Sequence, residues 1–306
     1  MDPHLLRTFV AVATTGSFSA AASELGYTQS AVSQHIAALE QTLGIAVLNR
    51  RPVTPTLAGE RLLEHAGAIL LRIEAARADV LRVVGEPPGA IVFAATPLAG
   101  AARVARALTR LRQDRPGLSV TFAVADRDEV ARGVASGTYH LGLIDGVAAP
   151  SDPLKLPDVG PLRTSAVAQE KLAVVVPEEH PLAARRRIGL RALVDARWID
   201  APVVSAALDD LRAAVETDSL RPALTYTGAD LLTLLELVAA GHGLAVLPVS
   251  APVPAGVRRI IVDTPRLVHR TELLHGHLAE PAATALIGVL SSTSERSGPS
   301  GGSVVE

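Results

Sequence analysis

The residues of this sequence best suited to chemistry are short polar side chains at helical spacing. Gln29, Ser30, Ser33 and Gln34 fall with Ala37 on one side of a segment whose other side carries Val32, Ile36, Leu39 and Leu43. Amides and hydroxyls both donate and accept, which is what a helix in a DNA major groove needs to read base edges. A merely solvated face of a small helical unit has the same composition, so spacing alone leaves both readings open. His35, on the flank between the two faces, either reaches a phosphate or is a satisfied boundary histidine. Beyond Gly44, a short apolar stretch, Ile45 to Leu48, leads to Asn49-Arg50-Arg51-Pro52 and then Val53-Thr54-Pro55-Thr56. This pattern predicts a β-wing whose arginines meet phosphate or the minor groove.

Signatures of covalent or nucleotide chemistry are missing. The sequence contains no Walker loop, no G-x-G-x-x-G and no H-E-x-x-H, and its G-x-S-x-G match, Gly298 to Gly302, follows no apolar strand run. His275-Gly276-His277 puts two imidazoles on one face of an expected strand, with no third ligand nearby in sequence. No catalytic residue, metal ligand or cofactor is therefore expected, and the chain reads as a non-enzyme.

The polar face has to be held by neighbouring elements. Leu5, Leu6, Phe9, Val12 and Ala13 predict a first amphipathic helix that Gly16 ends. Ser17 caps a second helix striped by Phe18, Ala21, Ala22 and Leu25. Gly26-Tyr27 makes a corner, and Thr28 caps the third helix, which runs to about Leu43. Helix, short glycine-containing turn and helix is the helix-turn-helix arrangement.

From Ala58 to Val84 there is no proline. Leu63, Leu70, Arg77 and Val84 fall seven apart, with Ala66, Ile73 and Val80 as a second seam, and Leu62, Ile69 and Ala76 broaden the face. The pattern fits a paired helix or a long helix packed on its own domain. Gly85-Glu86-Pro87-Pro88-Gly89 then marks a hinge.

Further on, strands alternate with helices. Strands are expected at 91–96, 119–125, 141–144, 172–176, 198–201, 223–227 and 244–247. Helices are expected at 99–111, 129–136, 206–217, 230–241 and 281–291. Such alternation argues for mainly parallel sheets flanked by helices, in two lobes around a cleft. A ligand would sit where strand ends and helix N-termini converge, and those exposed N–H groups favour an organic anion.

The 306 residues suit two or three domains, and 48% hydrophobic with 20% charged residues describes a globular chain. No uninterrupted apolar stretch reaches the ~18 residues of a membrane span. Met1-Asp2-Pro3-His4 lacks the basic start of a secretory signal, and there is no cysteine, so a reducing cytoplasm is expected. The formal net charge is −2, and residues 1–60 hold Arg7, Arg50 and Arg51 against Asp2, Glu24, Glu40 and Glu60. One such footprint binds DNA weakly, which favours an oligomer that adds several together.

The run Phe9-Val10-Ala11-Val12-Ala13-Thr14-Thr15-Gly16-Ser17-Phe18-Ser19-Ala20-Ala21-Ala22 resembles the start of LysR-type regulators. So do Thr28-Gln29-Ser30-Ala31-Val32-Ser33, then Ile36, Leu39-Glu40, Leu43-Gly44 and Arg50. Leu237-Val238-Ala239-Ala240-Gly241-His242-Gly243-Leu244-Ala245-Val246-Leu247-Pro248 resembles part of the family's effector domain, itself similar to periplasmic solute-binding proteins. The resemblance covers roughly residues 3–290.

The resemblance implies an α/β chain with an N-terminal all-α winged helix-turn-helix and a two-lobed periplasmic-binding-protein-like effector domain. Residues 1–58 would bind DNA and 59–89 would be a linker and dimerisation helix with a hinge. The effector domain would span 90–290, with lobe I at about 90–164 and 266–290 and lobe II at about 165–265. Residues 291–306 would be a disordered tail.

Ser17, Thr28, Gln29, Ser30, Ser33, Gln34, Arg50 and Arg51 would lie at promoter DNA. Leu63, Leu70, Ile73 and Val80 would pair subunits, in the dimer of dimers the family typically forms. Thr96, Pro97, Leu98, Ala99, Asp126, Ala201, Pro202, Val203 and Thr227 would bind a small-molecule effector.

Some positions depart from the family pattern. Ala37 and Ala38 stand where basic residues are frequent, and Thr54 and Pro55 replace a common Arg-Leu pair. Leu98 and Ala99 are apolar where a hydroxyl is frequent, and His140 stands where an aspartate is usual. The rivals on sequence alone are an enzyme using the cleft and a DNA-organising protein without a ligand.

Overall fold

The computed structural model of the chain describes residues 1–85, 90–160, 162–276 and 281–292. Contacts divide it into one unit built on residues 1–82 and another from residue 83 onward.

The first unit opens with α1 (Pro3–Thr15), α2 (Phe18–Leu25) and α3 (Gln29–Leu43). Each start carries its own signal. Asp2, Ser17 and Thr28 accept hydrogen bonds from backbone N–H groups of the turns they open, and Gly16, Gly26 and Gly44 close the helices in the left-handed conformation. Leu6, Phe9, Val12, Ala21, Val32, Ile36 and Leu39 form the buried core between them. The wing is a hairpin of β1 (Leu48–Arg50) and β2 (Val53–Pro55), pairing Arg50 with Val53. Its first strand begins at Leu48, three residues later than the apolar stretch predicts. α4 (Leu57–Gly85) follows without a break. Residues 86–89 of the expected hinge lie outside the described residues, and Gly85 is still helical.

The second unit contains β3 (Ala90–Ala95), α5 (Ala101–Asp114), β4 (Ser119–Val124), α6 (Arg127–Ser136), β5 (Leu141–Ala148) and β6 (Arg163–Pro177). It continues with β7 (Arg187–Gly189), β8 (Trp198–Asp200), α7 (Leu208–Val215), β9 (Pro222–Thr225), α8 (Leu231–Ala239) and β10 (Ala245–Pro248). β11 (Val257–Thr264), β12 (Val268–His275) and α9 (Pro281–Ser292) complete it. The main sheet runs β4-β3-β5-β12-β6-β11-β7, with β10 also on β6. β3 pairs in parallel with β4 and β5, but β12, β10 and β11 join β5 and β6 antiparallel. The sheet is therefore mixed, not mainly parallel as the alternation of elements suggested.

Two lobes form around this sheet. In the first, Phe93, Leu111, Leu143, Leu273 and Leu286 close one core. In the second, successive β6 side chains face opposite ways, as pleating requires. Leu172, Val174 and Val176 bury against α7, while Val175 buries against α8. The 15 residues of β6 connect the lobes, since its first part pairs with β12 and its last part with β10 and β11. α9 extends to Ser292, so the expected tail loses its first two residues to a helix, and 293–306 lie outside the described residues.

Candidate functional site

The polar side of α3 is available. Gln29, Ser30 and Gln34 are exposed and Ser33 is half-buried, while Val32, Ile36 and Leu39 on the other side are fully buried. Thr28 is exposed as well, but its Oγ1 accepts from Ala31 N at 3.2 Å. Ser17 Oγ likewise accepts from Ala20 N at 3.3 Å. Both hydroxyls thus fix helix starts.

His35 belongs to the fold. Thr8 Oγ1 gives its proton to His4 O (2.9 Å), so it must accept from His35 Nδ1 at 3.1 Å. The His35 ring also meets Tyr27 edge-on at 5.2 Å. Arg50 is engaged too: its guanidinium donates to Glu40 Oε2 at 2.9 Å and lies 5.2 Å from the centre of the Phe18 ring. Arg51, one residue on, is exposed.

α4 divides its apolar residues differently from the two seven-residue seams of the sequence, into a packed stripe and an exposed one. Ala66 is buried, and Leu62, Leu63 and Leu70 are half-buried against the core of their own unit. Ile69, Ile73 and Val80 are exposed, Val80 by 66%. At about 100° per residue these three fall within about 40° of one another, a narrow free stripe beside the packed one. Of the four residues expected to pair subunits, Ile73 and Val80 lie on the free stripe, whereas Leu63 and Leu70 pack within the unit.

A cavity of about 380 Å³ opens between the lobes of the second unit. Lobe I lines it with Thr96 just beyond β3, Asp126 to Asp128 at the start of α6, Arg132 in the middle of α6, Asp145 to Val147 on β5, and His269 on β12. Lobe II contributes the turn Pro202-Val203, Ser205 to Ala207 and Asp210 on α7.

The floor of the cavity is a connected polar chain. Thr96 Oγ1 donates to Asp145 Oδ1, and His269 Nε2 donates to Asp145 Oδ2 at 2.8 Å. His269 Nδ1 stands 3.8 Å from Glu170, whose carboxylate accepts from Ser250 N and Oγ at 2.8 Å each. Arg127 Nε donates to Asp145 O at 3.1 Å. Its guanidinium occupies the space above Gly146, where a Cβ would come within 2.2 Å of it. Burial pushes the Asp210 carboxyl above the usual aspartate range, with Arg127 and Lys155 pulling it back.

The structure brings together Thr96, Asp126, Pro202 and Val203 of the expected effector residues. Leu98 and Ala99 are placed elsewhere: they line a separate cavity of about 590 Å³ with Arg103 and Arg106. Ala99 is also buried in the lobe I core, and Ala201 in the lobe II core. Thr227 is exposed after β9 and, like Pro97, is not part of the interlobe wall. His140 has a structural part, its Nδ1 accepting from Val92 N at 2.9 Å. His275 Nδ1 donates to Gly276 O at 2.9 Å, and its expected companion His277 lies outside the described residues.

Sequence reasoning missed Arg127, Arg132, Asp145, Asp210 and His269. A charge inside the apolar run Leu141–Ala148 was the visible signal for Asp145. Nothing local marked His269, which meets Asp145 across 124 positions of sequence.

Comparison with known proteins settles the class. A family model described as "Bacterial regulatory helix-turn-helix protein, lysR family" matches residues 3–60, and one described as "LysR substrate binding domain" matches residues 85–293. The chain belongs to the LysR family of transcriptional regulators. An uncharacterized HTH-type transcriptional regulator of Escherichia coli K12, YnfL, is 31% identical over 80% of this chain and 81% of its own length. The small neutral protease regulatory protein of Streptomyces coelicolor is 29% identical over 96% and 93%. Among solved structures, the LysR-family regulator CbnR aligns with a TM-score of 0.55 at 20% identity, covering 96% of this chain and 99% of that one. Full-length BenM gives 0.54 at 20% identity, covering 96% of each chain. These likenesses show the two-part LysR fold, a helix-turn-helix followed by a two-lobed α/β domain. They place the chain among DNA-binding regulators, not enzymes.

Proposed function

We propose that this LysR-type regulator recognises a specific promoter sequence through the exposed side of α3. We further propose that a small molecule held in the interlobe cavity controls it. One observation carries the DNA part: α3 offers a capped, exposed polar face opposite a fully buried apolar one. Gln29, Ser30, Ser33 and Gln34 would reach base edges, and Arg51 with the start of α3 would meet phosphate. The solved complex of CbnR with its target DNA supports this use of the fold.

The cavity supports the sensing part. Its volume suits a small metabolite, and its charged walls come from both lobes. An effector shifts DNA binding only through unequal affinity for two arrangements of the protein. A cavity walled by two lobes provides that inequality, since closing it changes the contacts the ligand makes. Pairing of α4 through Ile69, Ile73 and Val80 would join two DNA-binding units in the cytoplasm, with a dimer of dimers as the expected assembly.

Footprinting of the chain on its own promoter region, with and without candidate metabolites, tests the proposal. A sequence-specific footprint that changes with one metabolite is the expected result. A footprint indifferent to sequence, or to every ligand that raises the melting temperature, would refute it.

A further inference from the structure

The charges lining the interlobe cavity fall into two groups. Asp126 and Asp145 are already committed: Asp126 Oδ1 accepts from Glu129 N at 2.8 Å, and Asp145 accepts from Thr96 and His269. The other group faces the cavity with charge to spare. From lobe I come Arg127, Asp128 and Arg132, and from lobe II comes Asp210, the single charged residue that lobe contributes.

Asp210 is the informative member. It is half-buried in the first turn of α7, and its carboxylate makes no hydrogen bond or ion pair with any described residue. Withdrawing a carboxylate from water without a partner is unfavourable, which is why burial raises its proton affinity. Across the cavity, Arg127 uses only Nε within the fold, on Asp145 O, so its two terminal nitrogens make no hydrogen bond to the described residues. An anion on one lobe, attracted by Arg127 and Lys155 but in contact with neither, thus faces an underused cation on the other.

We infer that the cavity takes a zwitterion, a small molecule whose ammonium group pairs with Asp210 and whose carboxylate pairs with Arg127. The inference rests on the interlobe cavity being the effector site. A plain organic anion would satisfy Arg127 but stand against an unpaired Asp210, and a plain amine would do the reverse. Because the two partners belong to different lobes, a zwitterion bridges them and favours closure in a way a single charge does not. The anion expected from helix N-termini is thereby narrowed to one that also carries a cation, since the first turns of α6 and α7 line this cavity with Asp128 and Asp210 in them.

The test uses the full chain and the standard α-amino acids, each beside its amine-free acid and its carboxyl-free amine, in thermal-shift and titration calorimetry. At least one amino acid is expected to bind, with both single-charge analogues weaker by about tenfold or more. Asp210→Asn is expected to weaken that amino acid by about tenfold or more while leaving the amine-free acid unchanged or tighter. An amine-free acid that binds as tightly as its amino acid, indifference of the amino acid to Asp210→Asn, or no binding by any amino acid overturns the inference.

Pro202→Trp, which fills the cavity from an exposed turn, separates the two possible failures. A simple acid lost in Pro202→Trp but untouched by Asp210→Asn leaves the cavity standing and removes the zwitterion. An amino acid bound equally by Pro202→Trp and the unaltered chain removes the cavity itself.

Discussion

Arg50 Nη2 stands 2.9 Å from Glu40 Oε2, tying the wing to the helix that carries the polar face. Glu40 does more than pair a charge. Its other oxygen accepts from Val47 N at 3.0 Å and Leu48 N at 3.3 Å, so one side chain fixes the base of the wing. The Glu40 side chain is only 17% exposed, whereas that of Arg50 is half exposed.

The first prediction separates these roles. Glu40→Ala strands two backbone donors and should cost about 1–3 kcal/mol of stability. Arg50→Ala loses a half-exposed ion pair and should cost about 0–1 kcal/mol. On DNA the two arginines should differ. Arg51→Ala should lower the salt slope of binding by about one, and Arg50→Ala by less, because Glu40 already offsets its charge. Thermal melts and a salt series of DNA titrations check both halves. Equal slopes for the two arginine variants would contradict the argument.

The second prediction concerns α3. Gln29→Ala and Ser33→Ala should leave the melting temperature unchanged and weaken discrimination for the cognate site by about 1–3 kcal/mol. Thr28→Ala should differ by also losing a helix cap, worth about 1 kcal/mol of stability. A comparison of melting temperatures with affinities for matched and scrambled sites distinguishes the two kinds of loss.

These residues were legible because each helix of the first unit states its own limits. Ser17 and Thr28 announce starts, and glycines at 16, 26 and 44 announce stops, all within a few residues of the element they bound. The second unit was legible only where a strand is uniformly apolar. β6 was foreseen from Leu172 to Val176, but its polar beginning, Arg163 to Lys171, is held by pairing with β12 and carries no local pattern. β12 itself begins Val268-His269-Arg270-Thr271-Glu272, a polar run that only its two neighbouring strands make a strand. The cavity floor hangs on that pairing, so His269 and its bond to Asp145 stayed hidden. α4 failed differently: the seven-residue count merged an inward stripe with a free one, and only packing tells Leu70 from Ile73.

That distinction gives the third prediction. Val80→Asp places a charge on the free stripe and should dissociate paired subunits while leaving each unit folded. Leu70→Asp buries a carboxylate against the unit's own core, so it should instead lower stability by roughly 2–5 kcal/mol. Sedimentation velocity together with thermal melts reads both. A Val80→Asp protein that keeps the oligomer of the unaltered chain would exclude the Ile69–Ile73–Val80 stripe from pairing.

The last prediction follows from the unpaired carboxylate in the cavity. Burial raises the proton affinity of Asp210 in the folded state above its value in the unfolded chain. A group shifted this way stabilises the fold fully only at pH below its unfolded pKa, about 3.9 for aspartate, and that contribution is lost as pH rises through the folded value. At about pH 7 the ligand-free protein therefore bears a penalty that an amide in the same place would not. Asp210→Asn should melt higher than the unaltered chain near neutrality, with the gap closing as pH falls toward about 4. The start of α7 works against this, because its dipole favours a negative charge in the first turn. The attraction of Arg127 and Lys155 works against this too, and burial is the largest of the influences on Asp210. Melting curves of both ligand-free proteins across this pH range decide the matter. A variant less stable than the unaltered chain at neutral pH would mean that Asp210 already has a partner in the unliganded protein.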